Sequence, residues 1–205
     1  MDRRRCLPMI LPLLLLTACG GGRVSEAEEL TNRARTAYLE LTACAGSASV
    51  TADYGVRVYD YALNFSYQRE GETVLTLTAP EDVAGVTATI AQGETGLEFD
   101  GVAVETGPVD PSGVSPLDAI PALLRYAREG YVAECVLEGE EGGKTELHLL
   151  CRDPEKGPGE GLECELWLDG ESLALLRGEL SQGSLTVIQC TFSDWTMTGA
   201  EKTEE

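Results

Sequence analysis

One histidine, seven cysteines and several clusters of glutamate are the side chains of this 205-residue chain whose types could do chemistry. His148 lies between Leu147 and Leu149 on an alternating stretch, so it takes the solvent face of a strand, where a Ser-His-Asp arrangement has no pocket to work in. Neither C-x-x-C nor H-x-x-x-H spacing occurs, which removes the usual zinc frameworks. Gly143-Lys144-Thr145 has the ending of a phosphate-binding loop, but Glu138 stands where the glycine is required and the segment joins two strands. Glu138, Glu140, Glu141 and Glu146 crowd one turn, and Glu163 and Glu165 share a strand face. Acid-rich edges of this kind are solvated faces that oppose edge-to-edge pairing; a glycosidase needs two carboxylates converging in a cleft. The expectation is therefore a chain that is not an enzyme, with no catalytic residue, no metal and no cofactor.

Of the cysteines, Cys6 belongs to the leader and Cys19 stands at its end, leaving Cys44, Cys135, Cys151, Cys164 and Cys190. An exported chain can form disulfides, yet an odd number forbids full pairing. In the registers expected below, Cys164 and Cys190 flank Leu175 from opposite sides, two strand spacings or about 10 Å apart, which is too far for a bond. Most of the five are expected as buried free thiols.

Arg3-Arg4-Arg5 precede an apolar run from Leu7 to Leu16, followed by Thr17, Ala18 and Cys19. A charged start, a short apolar core and small residues make a secretory signal, and the run is shorter than the roughly 20 residues that cross a bilayer. Leu16-Thr17-Ala18-Cys19 resembles the bacterial lipobox, which implies cleavage before Cys19 and acylation (palmitate-type chains) of its sulfur. More than one acyl chain, at about 0.8 kcal/mol per buried methylene, holds a protein stably on a membrane. Residues 1–18 are thus expected as signal peptide and 19–24 as lipidated cysteine and flexible tether. The product would be a lipid-anchored envelope protein on the extracytoplasmic face of the cell membrane.

The net charge is −20. Removing the leader takes away three arginines and one aspartate and leaves −22. Such a surface repels phosphate backbones, so nucleic acid is excluded as a partner.

The elements that must position these residues begin with a helix over residues 25 to 42, where Ser25 and Glu28 form a capping box and Leu30, Ala34, Ala37 and Leu41 make one apolar stripe. Residues 44 to 53 suit a first strand. Tyr59, Tyr61, Leu63, Phe65 and Tyr67 alternate on the next, and a three-residue loop at Arg69-Glu70-Gly71, with Gly71 left-handed, sets Phe65 opposite Leu75 and Leu63 opposite Leu77. Val86, Ala88 and Ile90 alternate with threonines, and Leu97 and Phe99 face Val102 and Val104 across Asp100-Gly101. Residues 106 to 114 read as loop. Ser115 then caps a second helix with Pro116 first and Leu117, Ile120, Leu124 and Ala127 inward; Pro121 predicts a kink, and Gly130 a stop. Beyond it Tyr131, Ala133, Cys135 and Leu137 are set against Cys151, Leu149, Leu147 and Thr145, and strands follow at Leu162 to Leu168, at Leu173 and Leu175, and at Ile188 to Phe192.

About ten or eleven antiparallel strands with one apolar face must curl, and two helices can fill the hollow. The fold class is α+β: an open, strongly curved antiparallel β half-barrel, with an N-terminal helix and a mid-chain helix on the concave side. It spans residues 25–197 as one domain, before a disordered tail at 198–205.

This layout resembles the superfamily of the outer-membrane lipoprotein carriers LolA and LolB, with the regulator RseB and the mycobacterial lipoprotein LppX. The residues carrying the resemblance are YDYALNFSYQR at 59 to 69, VLTLTAPEDVAGVTATI at 74 to 90, LEFDG at 97 to 101 and SPLDAIPALL at 115 to 124. It implies a hollow used for acyl chains or for protein contacts. The lid-locking arginine of the carrier has only Arg57 and Arg69 as counterparts, and the periplasmic carrier is not lipidated. A membrane-anchored binding protein for a lipid or other hydrophobic ligand follows. Leu63, Phe65, Leu75, Leu77, Ile90, Leu97 and Phe99 would form the sheet side of its site and Leu117, Ile120 and Leu124 the helical lid. The same residues could instead fill a dry core. The alternative function is an accessory or regulatory lipoprotein that binds an envelope enzyme or signalling protein.

Overall fold

The computed structural model describes residues 25–108, 112–139 and 143–199. The expected signal peptide, the tether with Cys19, and the chain beyond 199 lie outside the described residues. In order, the elements are α1 (Glu26–Glu40), β1 (Leu41–Asp53), β2 (Val58–Gln68), β3 (Thr73–Ala79), a 3₁₀ turn (Glu81–Val83), β4 (Thr87–Ala91), β5 (Glu94–Phe99) and β6 (Val102–Pro108). There follow α2 (Ala119–Glu129), β7 (Val132–Glu138), β8 (Glu146–Arg152), β9 (Leu162–Asp169), β10 (Leu175–Gln182) and β11 (Leu185–Gly199). The eleven strands make one antiparallel sheet in the order β6-β5-β4-β3-β2-β1-β11-β10-β9-β8-β7. Two meanders are thus joined where the first and last strands pair, and the sheet stays open at β6 and β7.

The aromatic hairpin has the register that its apolar alternation requires, with Leu63 opposite Leu77 and Phe65 opposite Leu75. Leu97 pairs with Val104 and Phe99 with Val102 around Asp100 (φ 49) and Gly101 (φ 75), the two left-handed positions of a tight hairpin turn. Ser25 caps α1 as expected: the Glu28 N–H donates to its Oγ (3.2 Å), and its own N–H donates to Glu28 Oε2 (2.8 Å).

Several details differ from the sequence expectation. Gly71 has no positive φ; its missing Cβ instead makes room for Gln68, whose own Cβ would lie 3.1 Å away. The second helix starts at Ala119, with Asp118 rather than Ser115 at its N-cap. Pro121 therefore sits in the first turn, where a backbone N–H has no helical partner anyway, and α2 runs on unbroken. Cys135 pairs with Leu149 and Leu137 with Leu147, a slip of two residues from the expected pairing. Both registers keep the same face inward, so alternation could not choose between them. Thr106, Gly107 and Pro108 extend β6 instead of opening a loop, and β11 continues to Gly199, two residues past the expected domain boundary.

One continuous core runs from Leu30 on α1 to Phe192 on β11. Both helices pack toward the β7–β11 side: α1 touches β7, β8 and β11, and α2 touches β9, β10 and β11. Gly178 lets α2 lie close on β10, and Gly113 lets the segment before α2 lie close on the helix. A Cβ on Gly178 would stand 2.7 Å from Leu123, and one on Gly113 (φ 73) would stand 2.4 Å from the Cβ of Ala122. Arg35 of α1 donates to the carbonyl oxygen of Gly130 (2.6 Å), closing the C-terminal end of α2. Tyr38 is buried with its hydroxyl donating to the Leu173 carbonyl (3.1 Å), and burial pushes its phenol well above the usual range.

Candidate functional site

The two helices pack mainly on β7–β11, and on the β2–β5 side α2 reaches β2 through Arg128, which donates to the Tyr67 hydroxyl (3.4 Å). A cavity of about 430 Å³ opens there between Tyr61 and Leu63 of β2, Leu77 of β3, Val83 and Val86 of the β3–β4 connection, Leu97 of β5, and Ser115-Pro116-Leu117 ahead of α2. Its volume falls in the range of roughly 300–1,000 Å³ typical of small-molecule sites. No charged side chain lines it, and the polar groups present are the hydroxyls of Tyr61 and Ser115. A chamber of this composition gains by taking apolar surface out of water, at about 25 cal/mol per Å².

The ten residues singled out from sequence divide into three groups. Leu63, Leu77, Leu97 and Leu117 line the cavity. Phe65, Leu75, Ile90, Ile120 and Leu124 lie behind it as closed core. Phe99 is half exposed at the end of β5, its ring 3.8 Å from where a Cβ on Gly85 would stand. Sequence reasoning did not include Tyr61, Val83, Val86, Ser115 and Pro116. Tyr61 sits on the alternating aromatic face, and Val86 begins the alternation that runs through Ala88 and Ile90, so both could have been found; Val83 lies in a 3₁₀ turn without alternation, which gives no such signal.

A larger cleft of about 960 Å³ borders the first turns of α1, the start of β8 and the β9–β10 turn. Glu26, Glu29, Arg33, Lys144, Asp169 and Glu171 line it, so its walls are charged and unsuited to an acyl chain.

His148 lies on the outer face, as its position between two inward leucines requires. Its Nδ1 is 2.7 Å from Glu138 and its Nε2 2.8 Å from Glu165, and its ring stacks on Trp167 at 4.2 Å. The Arg177 guanidinium covers the other part of the ladder, 4.4 Å from the Trp167 centroid, and pairs with Glu179. Four adjacent strands are tied together by this row, and no serine, threonine or cysteine takes part in it. All five described cysteines are free. Cys151 and Cys164 face each other across β8 and β9, while Cys190 lies beyond β10. Burial pushes the Cys151 thiol up to about 11 and the Cys190 thiol up to about 12, away from the reactive thiolate form. Among the described residues no group of three or more histidine, cysteine or carboxylate side chains could hold a metal ion, and no helix is long and apolar enough to cross a membrane.

No family model matches the chain, and no curated protein matches it by sequence. In structure it is similar to LprF from Mycobacterium bovis, at 17% identity and a TM-score of 0.49, over 83% of this chain and 92% of that one. It is similar to lipoprotein LppX from Mycobacterium tuberculosis at 15% identity and a TM-score of 0.43, over 83% and 96%. A LolA superfamily protein from Nitrosomonas europaea matches at 10% identity and a TM-score of 0.43, over 84% and 93%. These likenesses concern the fold, and they include the superfamily that the sequence resembles.

Proposed function

We propose that this chain is an envelope lipoprotein, anchored on the extracytoplasmic face of the cell membrane through Cys19, that binds a lipid or other hydrophobic ligand without catalysing a reaction. The observation that carries this reading is the cavity beside β2–β5, which is walled by apolar side chains of the strands, of the β3–β4 connection and of the segment ahead of α2. Leu63, Leu77, Leu97 and Leu117 hold the ligand, Phe99 stands at its mouth, and Phe65, Leu75, Ile90, Ile120 and Leu124 stiffen the wall behind. Leu97 is the informative position, because it is only partly buried and lines the hollow. Native mass spectrometry of the chain from residue 20, purified from cells, is expected to find a bound lipid that Leu97→Asp abolishes while the chain stays folded. An empty wild-type chain that also takes up no added fatty acid contradicts the reading. Cys19→Ser in the full chain is expected to move it from the membrane to the soluble fraction.

A second reading, an accessory lipoprotein that binds an envelope protein, draws support from the free edge of β6, where Val102 and Val104 are exposed. It predicts a co-purifying protein that Val104→Pro releases and Leu97→Asp retains.

A further inference from the structure

Of the eleven exposed large apolar side chains among the described residues, six lie near the tips of two hairpins, while Leu39, Val104, Tyr131, Val136 and Leu185 lie elsewhere. Tyr54, Val56, Val58 and Tyr59 lie on the β1–β2 hairpin, and Phe99 and Val102 on the β5–β6 hairpin. Antiparallel order puts both hairpins, with the β3–β4 connection between them, at one end of the strands. α1 begins at the other end, where its first turns border the β9–β10 turn. Val56 is 93% exposed and Val102 65%, far beyond what a folded chain needs at a turn.

Val58 is turned by alternation to the outer face of β2, but the others on these hairpins form a band rather than scattered points. Tyr54 and Tyr59 meet edge to face at 6.2 Å, Tyr59 stacks with Tyr61 at 6.4 Å, and Tyr61 lines the cavity. Across the cavity, Val83 and Val86 lead by way of Gly85 to the ring of Phe99. The Tyr54 hydroxyl donates to the Val114 carbonyl (2.9 Å), which fixes the hairpin against the segment that leads to α2. The band is thus a collar around the mouth of the hollow.

We infer that this collar docks the mouth onto the surface of a zwitterionic lipid bilayer, so that an acyl chain passes between bilayer and hollow without crossing water. This inference rests on the hydrophobic-ligand reading above. Tyrosines with an apolar body and a polar tip suit the lipid–water interface. Charge selects among lipid surfaces: the collar region holds Arg57 against Asp53, Asp60, Glu81, Asp82, Glu98 and Asp100. Anionic headgroups are therefore repelled and neutral ones accepted. The same acidic balance, in a chain of net charge −20, opposes a second copy as the occupant.

The test is co-sedimentation of the chain from residue 20, which keeps every described element and lacks the apolar leader, with phosphatidylcholine vesicles at low salt. Wild type is expected to bind, and to bind less when phosphatidylglycerol is mixed in. Val56→Asp, a change at a fully solvated turn, is expected to lower the bound fraction at least fivefold. Leu39→Asp, at a half-exposed leucine on the last turn of α1, is expected to leave it unchanged. Failure of the wild type to bind, equal binding by Val56→Asp, tighter binding to the anionic vesicles, or a dimer that Val56→Asp dissolves without vesicle binding each overturns the inference. Fatty acid offered in detergent separates it from the reading on which it rests. Uptake without vesicle binding removes the collar's role and keeps the hollow, whereas vesicle binding by a chain that takes up nothing keeps the collar and removes the hollow.

Discussion

The two wings of the sheet, either side of the β1–β11 seam, carry the same alternation of apolar and polar side chains and end up in opposite states. On the β7–β11 wing Leu147, Leu166, Leu168, Leu180 and Ile188 are completely buried under α1 and α2. On the β2–β6 wing burial falls off outward: Leu63 and Leu75 are closed, Leu77 and Leu97 are partly covered, and Val102 and Val104 are 65% and 56% exposed. Strand pattern alone therefore does not decide what an apolar face becomes. The helices do, and α2 lies close on β10 where Gly178 leaves room for Leu123. One alternating pattern thus serves as core on one wing and as the wall of a hollow on the other.

The sharpest contrast comes from a matched pair of truncations. Leu166→Ala should cost about 2–5 kcal/mol of stability, since it empties volume that α2 and the sheet cannot collapse to fill. Leu97→Ala should cost less than about 1 kcal/mol, because its side chain already faces a cavity. Urea unfolding of both variants checks this, and equal losses would erase the distinction between the wings.

Alkaline pH should act on the covered wing next. Cys151, Cys164 and Cys190 lie there, and burial raises all three, Cys190 to about 12. The unfolded chain gives up these protons from about pH 8.5, while the folded chain keeps them. Stability is then intact below that pH and declines above it, by up to about 1.4 kcal/mol per pH unit for each thiol, until the folded thiols ionise too. Cys190→Ala should flatten the fall between pH 9 and pH 11 in denaturation midpoints; an unchanged slope would show that the thiol does not contribute.

The smallest expected effect is on the outer face. His148→Gln removes the stacking on Trp167 and one or both carboxylate contacts from a partly exposed ladder, and should cost about 0.5–1 kcal/mol without altering ligand uptake. Thermal denaturation and fatty-acid binding by the same variant check both halves of that expectation.

Much of the fold was legible from particular residues. The alternation from Tyr59 to Tyr67 and the Asp100-Gly101 turn set two hairpin registers, because a one-residue slip would turn every inward side chain out. Slips of two residues carry no such penalty, and the β7–β8 pairing was misjudged for that reason. The kink expected at Pro121 failed because the helix boundary moved, not because proline behaved differently. The hollow was half legible: leucines and aromatics on a shared face were visible, but which of them a helix would cover depends on where Gly113 and Gly178 admit close packing, and that is a tertiary fact. Val83 reaches the cavity from a 3₁₀ turn whose shape no alternating pattern encodes.

Photo-crosslinking tests the difference between the wings most directly. A fatty acid bearing a diazirine on its acyl chain, irradiated with the folded chain from residue 20 and mapped by peptide mass spectrometry, should label Tyr61, Leu77, Val83, Val86, Leu97 or Leu117 and leave β8, β9 and α2 beyond Ile120 unlabelled. Label concentrated on β8–β10, or spread evenly over both wings, would contradict the account.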